Sequence, residues 1–293
     1  MAFVSLIPPP TFSTMRRKAL KAFGAGGLVL ASGQGSFAGG RYLSLGLLPD
    51  LTARVLFNQY EPVKQYLTAF ARTKVTISSA SSWSEFYRRA ADHQFDVMVA
   101  APHVARLMQK DLGFVPVASL APRVEAALVC AKNQNAKQLN FMRGKTIVAA
   151  NPASLVTVEG EVWLEKQGLR SGDDYISVNV RSADSVGILI ERGDAIAGLV
   201  SLSDLNSHHP DVIKNLKVVQ VYAVLPSLVI VLDPVRSQLS ASALSNAFHD
   251  FAQSPLAATF KQRSGSQIEG KVSENFASSM DQYLAMTRQM LNI

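Results

Sequence analysis

Two serine-led segments carry the most suggestive chemistry in this chain of 293 residues. One is Ser81-Ser82, ahead of Trp83; the other is Ser154-Leu155, ahead of Val156-Thr157. Each follows an apolar, β-branched run and opens a helical period, so each sets a helix N-terminus at the end of a strand. First-turn amides have no partner within their own helix and sit at the positive end of its dipole, so such an end can hold an oxyanion without a charged side chain. The simpler use of either serine is N-capping. Two such ends facing each other across a cleft would do more, and Thr157 adds a hydroxyl within the second helix. Pro102-His103 opens a further helix, where an imidazole can donate to an anion, bind a metal, or stand as a partly exposed first-turn side chain. Pro49, Asp50 and Thr52 at the first helix start have the same double reading. Ser201 closes a later strand, and Asp204 either faces a cleft or caps a short helix. His208-His209-Pro210 lies in a polar, Asn/Ser-rich stretch, and adjacent side chains seldom chelate one ion, so it reads as a solvated loop.

Catalytic patterns are missing. There is no Gly-x-Ser-x-Gly elbow, no His-Glu-x-x-His, no phosphate loop and no dinucleotide fingerprint. Gly24-Ala25-Gly26-Gly27 does not follow a strand. Cys130 is the single cysteine, so no intramolecular disulfide can form, and its setting in Ala-Ala-Leu-Val-Cys-Ala is that of a buried strand thiol. The expectation is a protein that binds and does not catalyse, with neither cofactor nor metal.

The formal charge of +7 overstates how basic the working part is. Arg16, Arg17, Lys18 and Lys21 lie in the first 38 residues, which hold no acid, and the remainder carries 25 basic and 22 acidic residues. That balance suits no nucleic-acid partner and is compatible with a small anion. The same 38 residues read as an export signal: a basic start, the weakly apolar Ala22-to-Ser32 stretch, and Ser36 and Ala38 ahead of cleavage. Met15 is an alternative start. Arg16-Arg17 with Leu20-Lys21 is similar to a twin-arginine signal, with a general secretory signal as the other possibility. Either route predicts a periplasmic protein.

Beyond residue 40, strands are expected at 41–48, 74–79, 95–101, 114–120, 125–131, 144–150, 176–181, 195–201, 216–224 and 227–233. Helices are expected at 52–71, 82–93, 102–110, 154–167, 183–192, 238–252 and 274–291. Alternation of near-continuous apolar strands with helices indicates parallel, doubly wound sheets covered on both faces. Ser82 with Glu85 forms a capping box, Ser154 can cap the next lobe's first helix, and Gly168 closes that helix. One α/β unit runs from 41 to about 121 and another from about 132 to about 222. The segments after 226 return to the first, which makes crossings near 122–131 and 223–232 a two-segment hinge. Ligands of such sheets lie at the strands' carboxyl ends.

In order, Gly46-Leu47-Leu48-Pro49, Tyr60-Glu61-Pro62-Val63, the Asp96-to-His103 strand end, Arg143-Gly144-Lys145-Thr146-Ile147 and Asn151-Pro152-Ala153-Ser154 resemble the periplasmic solute-binding proteins of the phosphate/phosphite/phosphonate uptake family. The resemblance implies an α/β, type II periplasmic-binding fold of two doubly wound lobes: 39–124 plus 229–293, and 125–228. It implies a small, anionic ligand (a phosphorus oxyanion or a relative) held between the lobes by residues among Pro49, Asp50, Ser81, Ser82, Pro102, His103, Ser154, Leu155, Thr157 and Ser201. The partner it implies is the membrane permease of an ABC transporter, served by a monomer. A sensory or accessory binding protein without transport, and an enzyme on the same fold, are the alternatives. The sequence departs from the family where a Ser-Thr-Ser-Gly run is usual, in having Ala100-Ala101 before Pro102 where a tyrosine is common, and in lacking an acid across Ala195–Ser201.

Overall fold

The structure, a computed structural model, describes residues 42–180, 185–208 and 210–293. The proposed export signal, the start of the helix expected from 183, and His209 lie outside them.

The chain opens with β1 (Leu43–Leu47), whose five residues are all buried, then α1 (Ala53–Ala71), β2 (Val75–Ser78), α2 (Trp83–Ala91), β3 (Val97–Ala100), α3 (Pro102–Leu112) and β4 (Val115–Ala121). It crosses through a cis Ala121–Pro122 peptide into β5 (Val124–Ala131). A 3₁₀ turn (Leu139–Met142), β6 (Thr146–Ala149), α4 (Leu155–Lys166), β7 (Ile176–Asn179), α5 (Val186–Arg192), β8 (Ala197–Ser201), α6 (Leu202–His208), α7 (Pro210–Ile213) and β9 (Leu216–Leu225) follow. The return brings β10 (Val229–Leu232), α8 (Ala241–Phe251), α9 (Pro255–Ser264), β11 (Gln267–Glu269), α10 (Phe276–Asp281) and α11 (Leu284–Leu291).

Two sheets result, one ordered β11-β4-β10-β3-β1-β2 and the other β7-β6-β8-β5-β9. The chain passes between them at 122–123 and again at 226–228. The expectation of purely parallel sheets needs correction. Strands β1, β2 and β3 are parallel, as are β6, β7 and β8, but β10 lies antiparallel between β3 and β4, and β5 lies antiparallel to β8 and β9. The crossing strands cause this. A strand arriving directly from the other sheet has no crossover helix to turn it round, so it enters in the opposite sense. The two crossings also pair with each other, with Val124 opposite Leu225, and Arg123 donates to the Val224 carbonyl at 2.7 Å.

Local chemistry explains several elements. Pro62 sits inside α1 and supplies no amide, which strands the carbonyl of Asn58 four residues back. Arg263 of α9 donates to that carbonyl at 2.9 Å, so the helix defect becomes an attachment point for the returning chain. Ser82 accepts the Glu85 amide at 3.1 Å, while the Glu85 carboxylate turns away from the cap to pair with Arg88. Gly46 is required because a Cβ there would stand 2.8 Å from the Phe95 ring. Gly168 follows α4 at φ +79°, the left-handed closing position expected of it. The helix expected at 274–291 is two, broken at Gln282-Tyr283. Helix α6 is the short helix that was one reading of Asp204, while α7, α9 and β11 lie outside the expected elements.

Each sheet is covered on both faces. Phe248, Phe251 and Phe260 pack with Leu56 and Leu67 against one face of the first sheet; Phe86, Met108 and Leu284 belong to the cluster on its other face. That second cluster also takes in Ala153 and Leu155, at the start of α4, so the two sheets share apolar contact. Cys130 is fully buried in β5. No helix among the described residues is long and apolar enough to cross a membrane.

Candidate functional site

The turns after β1, β3, β6 and β8 converge with the second crossing on a single cleft between the sheets, with an empty volume of about 1000 Å³ counted out to its open mouth. This is where strand carboxyl ends and helix N-termini were expected to meet. Asp50, Pro102, His103, Ser154, Leu155 and Ser201 line it. Pro49, Ser81, Ser82 and Thr157 do not. Ser81 and Ser82 are exposed, and the Ser82 hydroxyl is used on its own helix; the start of α2 presents Trp83 to the cleft in their place. Thr157 is 1% exposed and buried behind the first turn of α4.

The start of α4 is built from its own backbone. Asn151 accepts the Ala153 amide on its side chain at 2.8 Å and the Ser154 amide on its carbonyl at 2.9 Å. Ser154 then accepts the Val156 amide at 3.3 Å. This leaves the Leu155 and Thr157 amides of the first turn without an intrahelical acceptor, behind a rim that holds no Lys or Arg among the described lining residues. The rest of the wall is mostly apolar, with Leu48, Trp83, Leu120, Val186, Leu205 and Leu228 prominent.

His103 is the main correction. It is fully buried and not a partly exposed first-turn side chain. Its Nε2 lies 2.8 Å from the carbonyl oxygen of Ala153, so a helix of the first sheet bonds directly to the turn ahead of α4 in the second. Burial pushes its pKa down to about 4, against a smaller upward pull from that carbonyl. It is therefore neutral near pH 7 and cannot attract an anion by charge. A second bridge joins elements packed on the two sheets, where the Tyr283 hydroxyl donates to Glu159 of α4 at 2.8 Å.

Two acidic groups reach the cleft, Asp50 and Asp204. Ala195–Ser201 holds no acid, but Asp204, three residues on in the first turn of α6, lines the same cleft as Asp50. Ser201 positions it: its hydroxyl contacts that of Ser203 at 2.8 Å and accepts the Asp204 amide at 3.4 Å. Burial first, then the charges of Asp50 and Asp204, hold the Tyr60 phenol well above its ordinary pKa. The two sequence readings of Asp204 coincide, since it lies in the first turn of a short helix and lines the cleft; Trp83 carried no signal beyond its place after Ser82. No cluster of three or more potential metal ligands occurs among the described residues.

Comparison with known proteins decides the class. Residues 45–270 match the family described as ABC transporter, phosphonate, periplasmic substrate-binding protein. The chain belongs to that family. Among solved structures, the binding-protein component of a phosphonate ABC transporter from Pseudomonas aeruginosa shares 14% identity at a TM-score of 0.68, covering 86% of this chain and 88% of its own. A Prochlorococcus marinus protein solved with methylphosphonate also shares 14%, at 0.65, with coverage of 86% and 98%. An alkanesulfonate-binding protein of Xanthomonas axonopodis pv. citri, bound to MOPS, shares 13% at 0.59, with coverage of 85% and 93%. At these identities the likeness is one of fold. As a member of a family of periplasmic binding proteins that serve ABC transporters, the chain is a ligand-binding component of uptake.

Proposed function

We propose that this protein captures a small organic oxyanion, of phosphonate type and carrying an apolar substituent, in the cleft between its two sheets and hands it to the permease of an ABC transporter. The observation that carries this is the opposition of the α3 and α4 N-termini across the cleft, joined by the bond from His103 to Ala153. The Leu155 amide, in the first turn of α4 at the cleft, supplies a donor for the oxyanion, and the apolar wall receives the substituent. Residues 1–38 are the export signal in this reading, of twin-arginine type, cleaved near Ala38, and the mature protein works outside the cytoplasm as a monomer. Residues 39–124 with 229–293, and 125–228, move as the two lobes. Ligand that touches both lobes favours the closed arrangement by as much as it binds that arrangement better, and the permease recognises the closed form.

The reading is tested by thermal shift of the purified protein against methylphosphonate, larger alkylphosphonates, phosphite, phosphate, alkanesulfonates and simple carboxylates. A ligand present at one hundred times its Kd adds about 2.7 kcal/mol of stability, an upward shift of several degrees. Alkylphosphonates should give it. Silence from every oxyanion at millimolar concentration would refute the proposal.

A further inference from the structure

In the cleft wall, Nδ1 of His103 and Nε1 of Trp83 are buried and have no hydrogen-bond partner among the described residues. Both residues line the cleft, and their rings lie 5.8 Å apart between centroids. Their polarities are determined. An indole nitrogen can only donate. The Ala153 carbonyl can only accept, so Nε2 of His103 carries the proton and Nδ1 of the neutral ring presents a lone pair. The depressed pKa agrees with a neutral ring. The only other ionisable groups lining the cleft, among the described residues, are Asp50 and Asp204.

We propose that His103 and Trp83 form a recognition pair that requires a proton on the ligand's head group, one hydroxyl donating to Nδ1 and a neighbouring oxygen accepting from Nε1. A phosphonate monoanion satisfies both atoms at once. A sulfonate offers three acceptors and no proton, so it sets a lone pair against Nδ1 and leaves a buried acceptor unpaired. Sites built around a hydrogen bond to a ligand hydroxyl reject analogues that lack it far more strongly than apolar pockets reject a change of size. The inference rests on the oxyanion reading above. It separates phosphonate-type from sulfonate-type ligands, both of which are found bound to proteins of this fold.

Methylphosphonate and methanesulfonate have nearly the same shape and differ in the proton, so their dissociation constants, measured by calorimetry on the wild-type protein near pH 6, provide the test. The wild type should prefer methylphosphonate at least tenfold. In His103→Leu the preference should shrink to within about threefold, even though loss of the Ala153 bond weakens both ligands. Trp83→Phe should weaken both in proportion. Methylphosphonate should also shift the ¹⁵N resonance of Nδ1 in the wild type toward that of a hydrogen-bonded acceptor, which a purely structural histidine would not show. If both compounds bind the wild type equally, or methanesulfonate binds better, the recognition pair is refuted and the oxyanion reading survives. If neither binds while another oxyanion of the thermal-shift panel does, the recognition pair alone falls; if the whole panel is silent, both fall. Should His103→Leu fail to fold, the wild-type ratio and the resonance decide alone.

Discussion

Tyr283→Phe removes one oxygen and keeps the ring, so it isolates the bridge from Tyr283 to Glu159 of α4. Tyr283 stands between α10 and α11, which are tied to α3 by ion pairs from Arg106 to Asp281 at 2.8 Å and from Arg288 to Asp111 at 2.6 Å. Its partner Glu159 belongs to α4. The bond therefore joins elements packed on different sheets and exists only while the two halves are together. A hydrogen bond to a charged group is worth about 1.5–3 kcal/mol when buried. Both side chains are half-buried, so about 1 kcal/mol is the reasonable value. Lost from the closed form alone, that is roughly a fivefold weaker apparent affinity. Burial first, then the Glu159 carboxylate, pushes the Tyr283 phenol up to about 12. Being raised above its unfolded value near 10, the group contributes fully below pH 10 and loses its contribution as the pH climbs toward 12, so the effect should be flat from pH 6 to 9. Calorimetry with methylphosphonate on the wild type, Tyr283→Phe, Glu159→Gln and the double variant gives the pair's coupling directly. A coupling below about 0.3 kcal/mol would falsify the argument that this bond favours the ligand-bound arrangement.

Two further outcomes follow from the fold. His103 has a folded pKa lowered from 6.5 to about 4, so the neutral form is the one the fold prefers, and its contribution is present above pH 6.5 and lost as the pH falls toward 4. That is on the order of 3 kcal/mol; the melting temperature of the wild type should fall more steeply over this range than that of His103→Phe, and parallel curves would count against it. Arg263→Ala should cost about 0.5 kcal/mol by replacing the bond to the exposed Asn58 carbonyl with one to water. In a Pro62→Ala background the restored amide takes that carbonyl, so urea denaturation should show a smaller loss there; equal losses in both backgrounds would sever the link between proline and arginine.

Much of this protein was determined by short-range pattern. Apolar runs such as Val97–Ala100 and Val229–Leu232 name themselves as strands wherever they occur, because a strand buried on both faces must be apolar throughout. Pro102, Ser154 and Gly168 mark helix ends through backbone geometry that each residue sets by itself. Helix α9 gave little away, since among its ten residues only Phe260 is fully buried. Its place depends on Arg263 meeting a carbonyl 205 positions away. The same limit governs the cleft. Ser154 was visible as a helix start, but that Trp83 and not Ser82 lines the cleft depends on which side of α2 packs inward. That Asp204 and Asp50 line one cleft depends on how the second sheet meets the first. His103 could be read only as a first-turn histidine until the fold brought Ala153, 50 residues on, to its Nε2. Capping and periodicity are local and act before the chain has closed; tautomer, burial and the pairing of groups across a cleft come into being only when two sheets meet.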